Sequence, residues 1–355
     1  MSRTLLVMAG GTGGHVFPGL AVADLLRDRG WRIVWMGNPD SFEARTAPAR
    51  GYEMAWIRFA ALRGKGLSRK LLLPFNLLSG LWQAFREIRR ARPDVVLGMG
   101  GYVSFPGGVV AALLGRPLVI HEQNSIAGLA NRALARVADR ILCGFPDALP
   151  KSRHVGNPVR PEIAGLPEPS ARYGARGAEP LRLLVLGGSL GAAAINDAVP
   201  RGLALISEAE RPSVRHQAGE KHLATLEANY AAAGVRADCR AFIPDMAEAY
   251  AWADLALCRA GASTVAELAA AGVASALVPY PSAVDDHQSG NAKFLARAGA
   301  AFLLPQSEMS AESVAALIRG CARERLLGMA EKARALAKPA AAAEVARACE
   351  EVCGP

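Results

Sequence analysis

In the first part of the chain, short apolar runs alternate with longer segments whose apolar residues recur every three or four positions. The short runs are typical of buried strands, and they are Thr4–Ala9, Arg32–Gly37, Asp94–Met99, Pro117–Glu122 and Arg140–Phe145. The longer segments predict helices at Pro18–Arg29, Ser79–Ala91 and Ser125–Val137. Strands that alternate with helices predict a parallel sheet covered by helices on both faces.

A proline-rich break separates this part from a second part with the same organisation. Residues 157–180 hold five prolines and little periodicity, which is typical of a linker. Further strands are predicted at Leu181–Gly187, Val214–Ala218, Cys239–Ile243, Leu255–Arg259, Ala274–Tyr280 and Ala301–Leu304, and an alanine-rich helix after Lys338-Pro339 is expected to run to about Cys353. Each half opens with a strand, a glycine-rich turn and a helix. We therefore predict an α/β fold of two Rossmann-like, doubly wound domains that face each other across a cleft.

The composition places the chain among folded globular proteins. Hydrophobic residues make up 51% and charged residues 21%, which argues against disorder. The uncharged stretch Val95–Gly115 is long enough to span a bilayer, but its six glycines and Pro106 predict a strand, a loop and a short helix instead. Glycines interrupt the apolar run near the N-terminus, so no secretory signal is expected. The six cysteines lack zinc spacing and are expected to be reduced thiols.

Three glycine-rich loops follow predicted strands, where doubly wound folds bind their ligands. They contain Gly10–His15, Gly100–Gly108 and Gly187–Ala192. Glycine lets the backbone approach a ligand closely, and a helix N-terminus attracts an anion. The first loop is neither a dinucleotide fingerprint, which needs glycine at Val16, nor a Walker A loop, because no Lys-Ser/Thr pair follows. A tight turn with packing glycines is the alternative interpretation.

Two segments of the second half carry further candidate chemistry. Arg259–Glu267 predicts a strand end, a turn at Gly261 and a helix whose first turn holds phosphate, while the Glu267 carboxylate accepts two hydrogen bonds from a ribose diol. The alternative is an acidic residue that favours the helix dipole. Asp285–Ala292 contains paired acids, but adjacent positions rarely converge on one ion, so we expect no metal site. The Gln288 amide suits sugar hydroxyls, because both groups donate and accept hydrogen bonds.

The segment His121–Asn124 places four polar residues at the carboxyl end of a predicted buried strand. It runs into Ser125, a good helix N-cap. Polar residues at such a strand end indicate a site more than a requirement of the fold. A solvated loop is the alternative interpretation.

Together these segments resemble the peptidoglycan N-acetylglucosaminyltransferases of glycosyltransferase family 28. The resemblance rests on GGTGGHVFPGLAVA, LRGKG, PDVVLGMGGYVSFPG, HEQNSIAGLANR, VGNPVR, GGSLGA, FIPDMAEAYAWADL, CRAGASTVAE and DDHQSGNA, which follow the family order and cover nearly the whole chain. It implies the GT-B architecture, with an acceptor- and membrane-facing domain at residues 1–160 plus 340–355 and a UDP-GlcNAc-binding domain at residues 161–339. The C-terminal helix is expected to return to the first domain.

The resemblance also implies roles for single residues. In the second domain, the implied donor contacts are the Ile243 backbone with the uracil, Glu267 with the ribose, Gln288 with the sugar hydroxyls, and Ser189 with Ala262, Ser263, Thr264, Val265 and Ala266 around the diphosphate. Arg160 is expected to close on the nucleotide, and Thr12, Gly13, Gly14 and Asn124 to meet the donor across the cleft. His15, Tyr102 and Glu122 are expected to line the acceptor side. Leu190 and His287 stand where relatives have glutamine, which puts some donor contacts in doubt.

The implied reaction is an inverting transfer of GlcNAc from UDP-GlcNAc to the C4 hydroxyl of MurNAc in undecaprenyl-diphosphate-MurNAc-pentapeptide (lipid I). The product is lipid II, a precursor of peptidoglycan, which links the chain to cell-wall biogenesis, cell shape and cell division. His15 is the candidate base, because imidazole titrates near neutral pH. Ligand positioning is its alternative role, and Glu122 is the alternative base. Helix N-termini and Arg160 can stabilise the diphosphate charge, so neither a metal nor a cofactor is expected beside the donor substrate.

The net charge of +9 is concentrated in one region, where nine Lys/Arg and one acidic residue lie between Arg58 and Arg92. An apolar run at 71–78 is flanked by Arg63, Lys65, Arg69 and Lys70 and is followed by Leu78, Leu81, Trp82, Phe85 and Ile88 on one helical face. Such a surface suits an anionic membrane leaflet, and a helix packed on its sheet is the alternative. With a lipid acceptor, this predicts a peripheral protein at the cytoplasmic face of the bacterial inner membrane, with cell-wall synthesis proteins as further partners.

Other functions stay open from the sequence. A GT-B enzyme that glycosylates diacylglycerol is disfavoured by the segments HEQN and GGYVS. A UDP-GlcNAc epimerase shares the architecture but needs no lipid acceptor, and a nucleotide-sugar binding module needs no turnover. The basic charge permits nucleic-acid binding, but the sequence contains no motif for it, so nucleic acid is not an expected partner.

Overall fold

The computed structural model describes residues 2–59, 73–177, 179–188 and 191–354, which fall into two compact units. The first unit comprises Met1–Arg160 with Lys338–Pro355, and the second comprises Pro161–Ala337. The chain therefore returns to the first unit two residues earlier than the sequence analysis expected. Several residues singled out from the sequence lie outside the described ranges, namely Ser189, Leu190, Arg63, Lys65, Arg69, Lys70, Leu71 and Leu72.

The first unit is built on a parallel sheet of seven strands. Its elements in chain order are β1 Thr4–Met8, α1 Gly13–Asp28, β2 Arg32–Gly37, α2 Glu43–Thr46, β3 Glu53–Trp56, α3 Leu73–Ala91, β4 Val95–Gly98, α4 Ser104–Leu113, β5 Leu118–Glu122, α5 Leu129–Leu134, β6 Arg140–Cys143 and β7 Arg153–His154. The strand order is β3-β2-β1-β4-β5-β6-β7, so the winding direction reverses between β1 and β4. In doubly wound folds this switch point is where ligands bind.

Both faces of this sheet are buried, because its central strands carry apolar residues at successive positions. Leu5 and Val7 point to one face, which packs on α1 and on a helix near the chain end, Ala341–Val352. Leu6 and Met8 point to the other face, which packs on α3 and α4. The C-terminal helix thus completes the core of the first unit.

The second unit repeats this plan with six parallel strands. Its elements are α6 Pro161–Ala164, α7 Pro169–Gly174, β8 Arg182–Leu186, α8 Ala193–Ala204, β9 Ser213–Gln217, α9 Leu223–Ala232, β10 Asp238–Arg240, α10 Met246–Trp252, β11 Leu255–Cys258, α11 Ala262–Ala271, β12 Ala274–Leu277, α12 His287–Arg297, β13 Ala301–Leu303, α13 Ala311–Arg319 and α14 Arg323–Ala335, and the C-terminal helix becomes α15. The order β10-β9-β8-β11-β12-β13 places a second switch point between β8 and β11.

The predicted strands are all present, and the differences concern helix ends and short edge strands. Helix α1 begins at Gly13 rather than Pro18, so Pro18 lies inside the helix and removes one backbone hydrogen bond. Helix α5 is shorter than predicted at both ends, and bends at residues 124–126 and an extended Gly128 precede its first turn. The edge strands β3 and β7 were missed, since they are too short to show a clear pattern.

The stretch Val95–Gly115 divides as predicted into β4, a glycine-rich loop and α4. Among the residues that the structure describes, no helix has the length and apolar character needed to cross a membrane.

Candidate functional site

The predicted site residues of the first unit gather at the carboxyl edge of its sheet, around the switch point. They are Thr12, Gly13, Gly14 and His15 after β1, Tyr102 after β4, and Glu122 and Asn124 at the end of β5. Strands β1, β4 and β5 are neighbours and run parallel, so their carboxyl ends lie side by side. The fold therefore brings together three segments that are far apart in the sequence.

The loops after β1 and β4 pack backbone against backbone, which explains their glycines. Gly101 has a φ of +82°, and a Cβ built on it would lie 2.2 Å from the carbonyl oxygen of Gly10. A Cβ on Gly10 would lie 2.8 Å from Oε1 of Glu43. A side chain at either position would push the loops apart, so these glycines fix the shape of the edge.

Glu43, on α2, supports the glycine loop and was not singled out from the sequence. Its buried carboxylate accepts hydrogen bonds from the backbone N–H of Gly11 at 3.0 Å and of Asn38 at 3.2 Å. One carboxylate thereby joins the loop after β1 to the loop after β2. Gly11 and Glu43 are 32 positions apart, with α1 and β2 between them, so no local pattern indicates the contact.

Tyr102 lies beside the glycine loop, where a Cβ on Gly11 would be 3.5 Å from its ring. Burial raises the pKa of the Tyr102 hydroxyl, and the nearby Glu43 carboxylate raises it further. The phenol is therefore neutral at physiological pH and can donate a hydrogen bond to a ligand.

His15 stands on the first turn of α1 with one ring nitrogen held by the protein. Its Nδ1 lies 2.8 Å from Oε1 of Gln123, whose amide nitrogen lies 3.0 Å from Nδ1 of His121. The Nε2 atom of His121 lies 2.9 Å from the carbonyl oxygen of Gly156. Gln123 and His121 are buried, whereas His15 is half-buried. Burial lowers the pKa of His121 to about 4, so this ring is neutral near pH 7.

Glu122 is buried at the end of β5, where four donors engage its carboxylate. Oε1 accepts from the backbone N–H and side-chain amide of Asn124, at 2.9 and 3.4 Å. Oε2 accepts from the amide of Asn131 at 2.9 Å and the backbone N–H of Gly128 at 3.2 Å. This arrangement favours a role in shaping the loop after β5 over the role of a base that meets a substrate.

Arg160 is the last residue of the first unit before the chain enters the second unit, and it lies beside the start of α1. Its guanidinium carbon is 6.0 Å from the centroid of the Phe17 ring, which is within reach of a cation–π contact. The same ring would lie 2.9 Å from a Cβ on Gly13. Arg160 is thus close to the glycine turn at which the sequence predicts donor contacts.

In the second unit, the predicted phosphate segment forms the first turns of α11. Gly261 is the N-cap, and the backbone N–H of Val265 donates to its carbonyl oxygen at 2.9 Å. The N–H groups ahead of Val265 belong to the first turn of the helix, and N–H groups at a helix N-terminus attract anions. Ala262, Ser263 and Thr264 supply these groups, next to the switch point of the second sheet.

Glu267 lies one turn further along α11, half-buried, with its Oε2 accepting from the Tyr250 hydroxyl at 3.1 Å. Tyr250 is buried on α10. Its ring is part of the core, so the hydroxyl is a fixed donor that orients the carboxylate. A glutamate with such support is suited to bind a diol, which needs an acceptor in a defined position.

Arg259 joins the ends of β11 and β12 and was only part of a motif in the sequence analysis. Its guanidinium donates to the carbonyl oxygens of Val278 and Pro279, both at 3.3 Å, and to Oε1 of Gln306 at 2.6 Å. The same group lies over the Tyr280 ring, 5.3 Å from the centroid. Burial lowers the pKa of Arg259, although arginine stays charged at neutral pH.

Gln288, on the first turn of α12, accepts a hydrogen bond from the Tyr280 backbone N–H at 3.0 Å through Oε1. The amide nitrogen of Gln288 is a donor, which suits a ligand hydroxyl. Ile243 is buried after β10, while Phe242 beside it is 56% exposed. The predicted contact of the Ile243 backbone with the uracil stays a prediction.

Each unit thus carries its own set of predicted residues at the carboxyl edge of its own sheet. The set of the first unit holds the titratable His15 and the glycine turn, and the set of the second unit holds the helix N-terminus of α11 with Glu267. Ser189 belongs to the second set by sequence but lies outside the described residues. The roles assigned to these residues stay predictions.

Comparison with known families gives two matches that together span most of the chain. The glycosyltransferase family 28 N-terminal domain matches residues 5–143, and the glycosyltransferase family 28 C-terminal domain matches residues 182–348.

Curated relatives match over nearly their full lengths. A protein of Dechloromonas aromatica is 63% identical over 352 residues, covering 99% of both chains. One of Aromatoleum aromaticum is 67% identical over 350 residues, covering 99% of this chain and 98% of the relative. Both are named UDP-N-acetylglucosamine--N-acetylmuramyl-(pentapeptide) pyrophosphoryl-undecaprenol N-acetylglucosamine transferase.

Solved structures agree with these matches. A crystal structure of Acinetobacter baumannii MurG aligns with a TM-score of 0.86 at 40% identity, covering 98% of this chain and 99% of that one. The calicheamicin glycosyltransferase CalG4 aligns with a TM-score of 0.67 at 19% identity over the whole of both chains, which shows the fold alone. With the two parallel sheets, these likenesses confirm the predicted GT-B class.

Proposed function

Because the chain belongs to glycosyltransferase family 28, we propose that it transfers GlcNAc from UDP-GlcNAc to the C4 hydroxyl of MurNAc in lipid I, which gives lipid II. The observation that carries this assignment is the identity of 63–67% over almost the whole chain to transferases whose names state this sugar and this acceptor. The chain is a hexosyltransferase of peptidoglycan synthesis.

The second unit supplies the donor contacts in this proposal. The first-turn N–H groups of α11 face the diphosphate, where a helix N-terminus stabilises negative charge. The Glu267 carboxylate accepts from the two ribose hydroxyls, and the fixed Tyr250 hydroxyl keeps it in position. The amide nitrogen of Gln288 donates to a sugar hydroxyl, while its oxygen accepts from the backbone N–H of Tyr280.

The chemical step is a displacement at the anomeric carbon with inversion. The oxygen of the acceptor hydroxyl forms a bond to that carbon while the bond from the carbon to the diphosphate oxygen breaks. UDP departs with the bonding electron pair, and the hydroxyl proton passes to a base. Attack from the side opposite the leaving group converts an α-linked donor into a β-linked product. The transition state resembles an oxocarbenium ion, and dipoles at the diphosphate stabilise the charge that develops there.

His15 is the base in this proposal, and Glu122 holds the loop around it. His15 is half-buried at the carboxyl edge of the first sheet, and one of its nitrogens is already held by Gln123. Glu122, by contrast, is buried and engaged by four donors. Tyr102 lies at the same edge and positions the acceptor, while the glycine turn beside it meets the donor.

We also propose that the first unit binds the cytoplasmic face of the inner membrane through α3. Phe75 on this helix is 73% exposed, and Leu78 and Trp82 are each 65% exposed. Arg86 and Arg89 follow on the next turns. Apolar side chains that enter the interface beside arginines that meet anionic headgroups are typical of peripheral attachment. Cell-wall synthesis proteins are further partners in this proposal.

The test is the transfer of radiolabelled GlcNAc from UDP-GlcNAc to a short-chain lipid I analogue. We expect labelled disaccharide product only when the acceptor is present. The matched control is the same acceptor with its C4 hydroxyl methylated, which removes the nucleophile and should abolish product. UDP release without transfer would contradict the proposal and indicate a hydrolase or epimerase. Tight binding of UDP-GlcNAc without any reaction with the acceptor would indicate a binding module.

A further inference from the structure

A chain of hydrogen bonds leads from His15 into the core of the first unit. It runs from Nδ1 of His15 to Gln123 at 2.8 Å, from Gln123 to Nδ1 of His121 at 3.0 Å, and from Nε2 of His121 to the Gly156 carbonyl oxygen at 2.9 Å. Gln123 and His121 are buried, and the mechanism above gives neither a role in the proton transfer beyond the contact of Gln123 with His15. We call these residues the His15 relay.

The donor and the acceptor of each bond in the relay can be assigned by starting from the carbonyl oxygen of Gly156. A carbonyl oxygen only accepts, so Nε2 of His121 carries the proton. A neutral imidazole has one N–H, which leaves Nδ1 of His121 as an acceptor for the Gln123 amide nitrogen. The low pKa of His121, about 4 because of burial, keeps that ring neutral.

The orientation of the Gln123 amide is fixed by a second bond. Its nitrogen also donates to the carbonyl oxygen of His121 at 3.0 Å. Rotating the amide by half a turn would place its oxygen against two acceptors, which is repulsive. The oxygen of Gln123 therefore faces His15 and accepts from it, so Nδ1 of His15 carries the proton.

We infer that Gln123 is a positioning residue that holds neutral His15 in the Nδ1–H tautomer, which leaves the lone pair of Nε2 free to take the proton of the acceptor hydroxyl. This inference rests on the proposed function, because only a proton-abstracting reaction needs that lone pair. The proton lost by the hydroxyl goes to Nε2 as the new glycosidic bond forms and UDP leaves with the electron pair.

Two glycines of the surrounding backbone leave the space that the hydrogen bonds of the relay need. A Cβ on Gly100, whose φ is +88°, would lie 3.0 Å from Nδ1 of His15, so glycine there lets the ring reach Gln123. At the far end, Gly156 has a φ of +85°, and a Cβ there would lie 2.3 Å from the Cβ of Lys338. Two glycines with positive φ thus fix the two ends of the relay.

A glutamine has a specific advantage at this position. Its amide orients the imidazole without placing a charge beside it, whereas a carboxylate would favour the protonated ring. The amide of Gln123 therefore defines the tautomer of His15 without adding a charge to the site.

The first experiment reads the tautomer directly, in the absence of any substrate. Nitrogen-15 correlation spectra of histidine-labelled protein distinguish protonated from unprotonated ring nitrogens, and His15→Ala assigns the signal among the six histidines. We expect neutral His15 to show a protonated Nδ1 and an unprotonated Nε2. Gln123→Met, which cannot accept the bond, should let both tautomers appear.

The second experiment measures transfer to the short-chain acceptor. Gln123→Met should lower kcat by about 10-fold to 100-fold, because the base spends part of its time in the wrong tautomer. The KM for UDP-GlcNAc should change by less than about threefold, since the donor contacts are unaltered. Gln83→Met, the same change on the surface of α3, is the matched control and should leave kcat unchanged.

The outcomes separate this inference from the proposed function. If the neutral ring of wild-type His15 carries its proton on Nε2, the relay is overturned even if transfer occurs. An Nδ1–H tautomer that Gln123→Met leaves unchanged would also overturn it. If the tautomer and its loss appear as expected but no sugar is transferred, the relay stands and the proposed reaction fails.

Discussion

The hydroxyl of Tyr250 donates a hydrogen bond to Oε2 of Glu267, with 3.1 Å between the two oxygens. The phenol comes from α10 and the carboxylate from α11, so two helices fix one acceptor at the edge of the second sheet. Tyr250→Phe keeps the buried ring and removes only the donor. We expect it to weaken UDP binding by about threefold to tenfold, which corresponds to about 1 kcal/mol. Isothermal titration calorimetry with UDP measures this change.

The control for this prediction is Tyr230→Phe, which removes a buried hydroxyl that bonds His216 in the same unit. It should leave UDP affinity unchanged. A double-mutant cycle adds 2′-deoxy-UDP as the second change. If Glu267 binds the ribose diol, Glu267→Gln and the missing hydroxyl should not be additive; additive losses would contradict that role.

Glu122→Gln should lower stability more than it lowers catalysis. The amide nitrogen of the new side chain would face N–H donors that the carboxylate now satisfies. We expect a loss of about 2 kcal/mol in the free energy of unfolding, from one buried contact replaced by a repulsive one. Below the unfolding temperature, kcat should fall by less than about tenfold. Chemical denaturation and transfer assays measure the two quantities.

Exposed Glu208→Gln serves as the control and should change neither quantity. The reverse pattern would identify Glu122 as the base. In that case, kcat would fall by about 100-fold or more while the unfolding free energy stayed at the wild-type value.

Gly101→Ala should destabilise the first unit strongly. The new Cβ would lie 2.2 Å from the carbonyl oxygen of Gly10, and φ is +82°. Backbone strain and the clash together should cost about 3 kcal/mol or more. Gly115→Ala is the matched control, because φ is +62° there but no atom lies within 4 Å of the new Cβ. It should cost about 1 kcal/mol. Equal losses in thermal unfolding would show that the two glycine loops do not pack as described.

Membrane attachment should depend on the exposed face of α3. Trp82→Glu places a charge where an apolar ring is 65% exposed, so we expect binding to vesicles with anionic lipid to fall by about tenfold or more. Raising the ionic strength should weaken wild-type binding, because the arginine contribution is screened. Co-sedimentation with vesicles of phosphatidylglycerol and phosphatidylcholine measures both effects.

Leu205→Glu is the control, since Leu205 is 46% exposed but lies in the second unit. Its binding should equal that of the wild type. Binding that is independent of anionic lipid would contradict the electrostatic part of the proposal. Equal losses in both variants would mean that α3 is not the attachment site.

The strands could be predicted from the sequence because parallel strands are buried on both faces and therefore read as unbroken apolar runs. Arg32–Gly37 has the predicted bounds, and β1 differs by one residue. Helix ends were less accurate. The apolar periodicity that indicates α1 starts after Pro18, whereas its first turn begins with two glycines and His15, which show no apolar periodicity.

The site residues divide in the same way. His15 and Glu267 stand in local patterns, a glycine turn and a strand–turn–helix segment, that indicate ligand chemistry. Gln123 and Glu43 do their work through partners 108 and 32 positions away. No local pattern carries such information, because only the folded sheet brings the partners together.

Helix α15 has a consequence for how the protein is made. It supplies Val345, Ala346, Ala348 and Cys349 to the core that β1 and α1 share, although it is translated some three hundred positions later. The second unit, by contrast, is one continuous segment. On the ribosome, the core around β1 and α1 therefore stays incomplete until α15 has emerged. The second unit can finish folding before the first unit does.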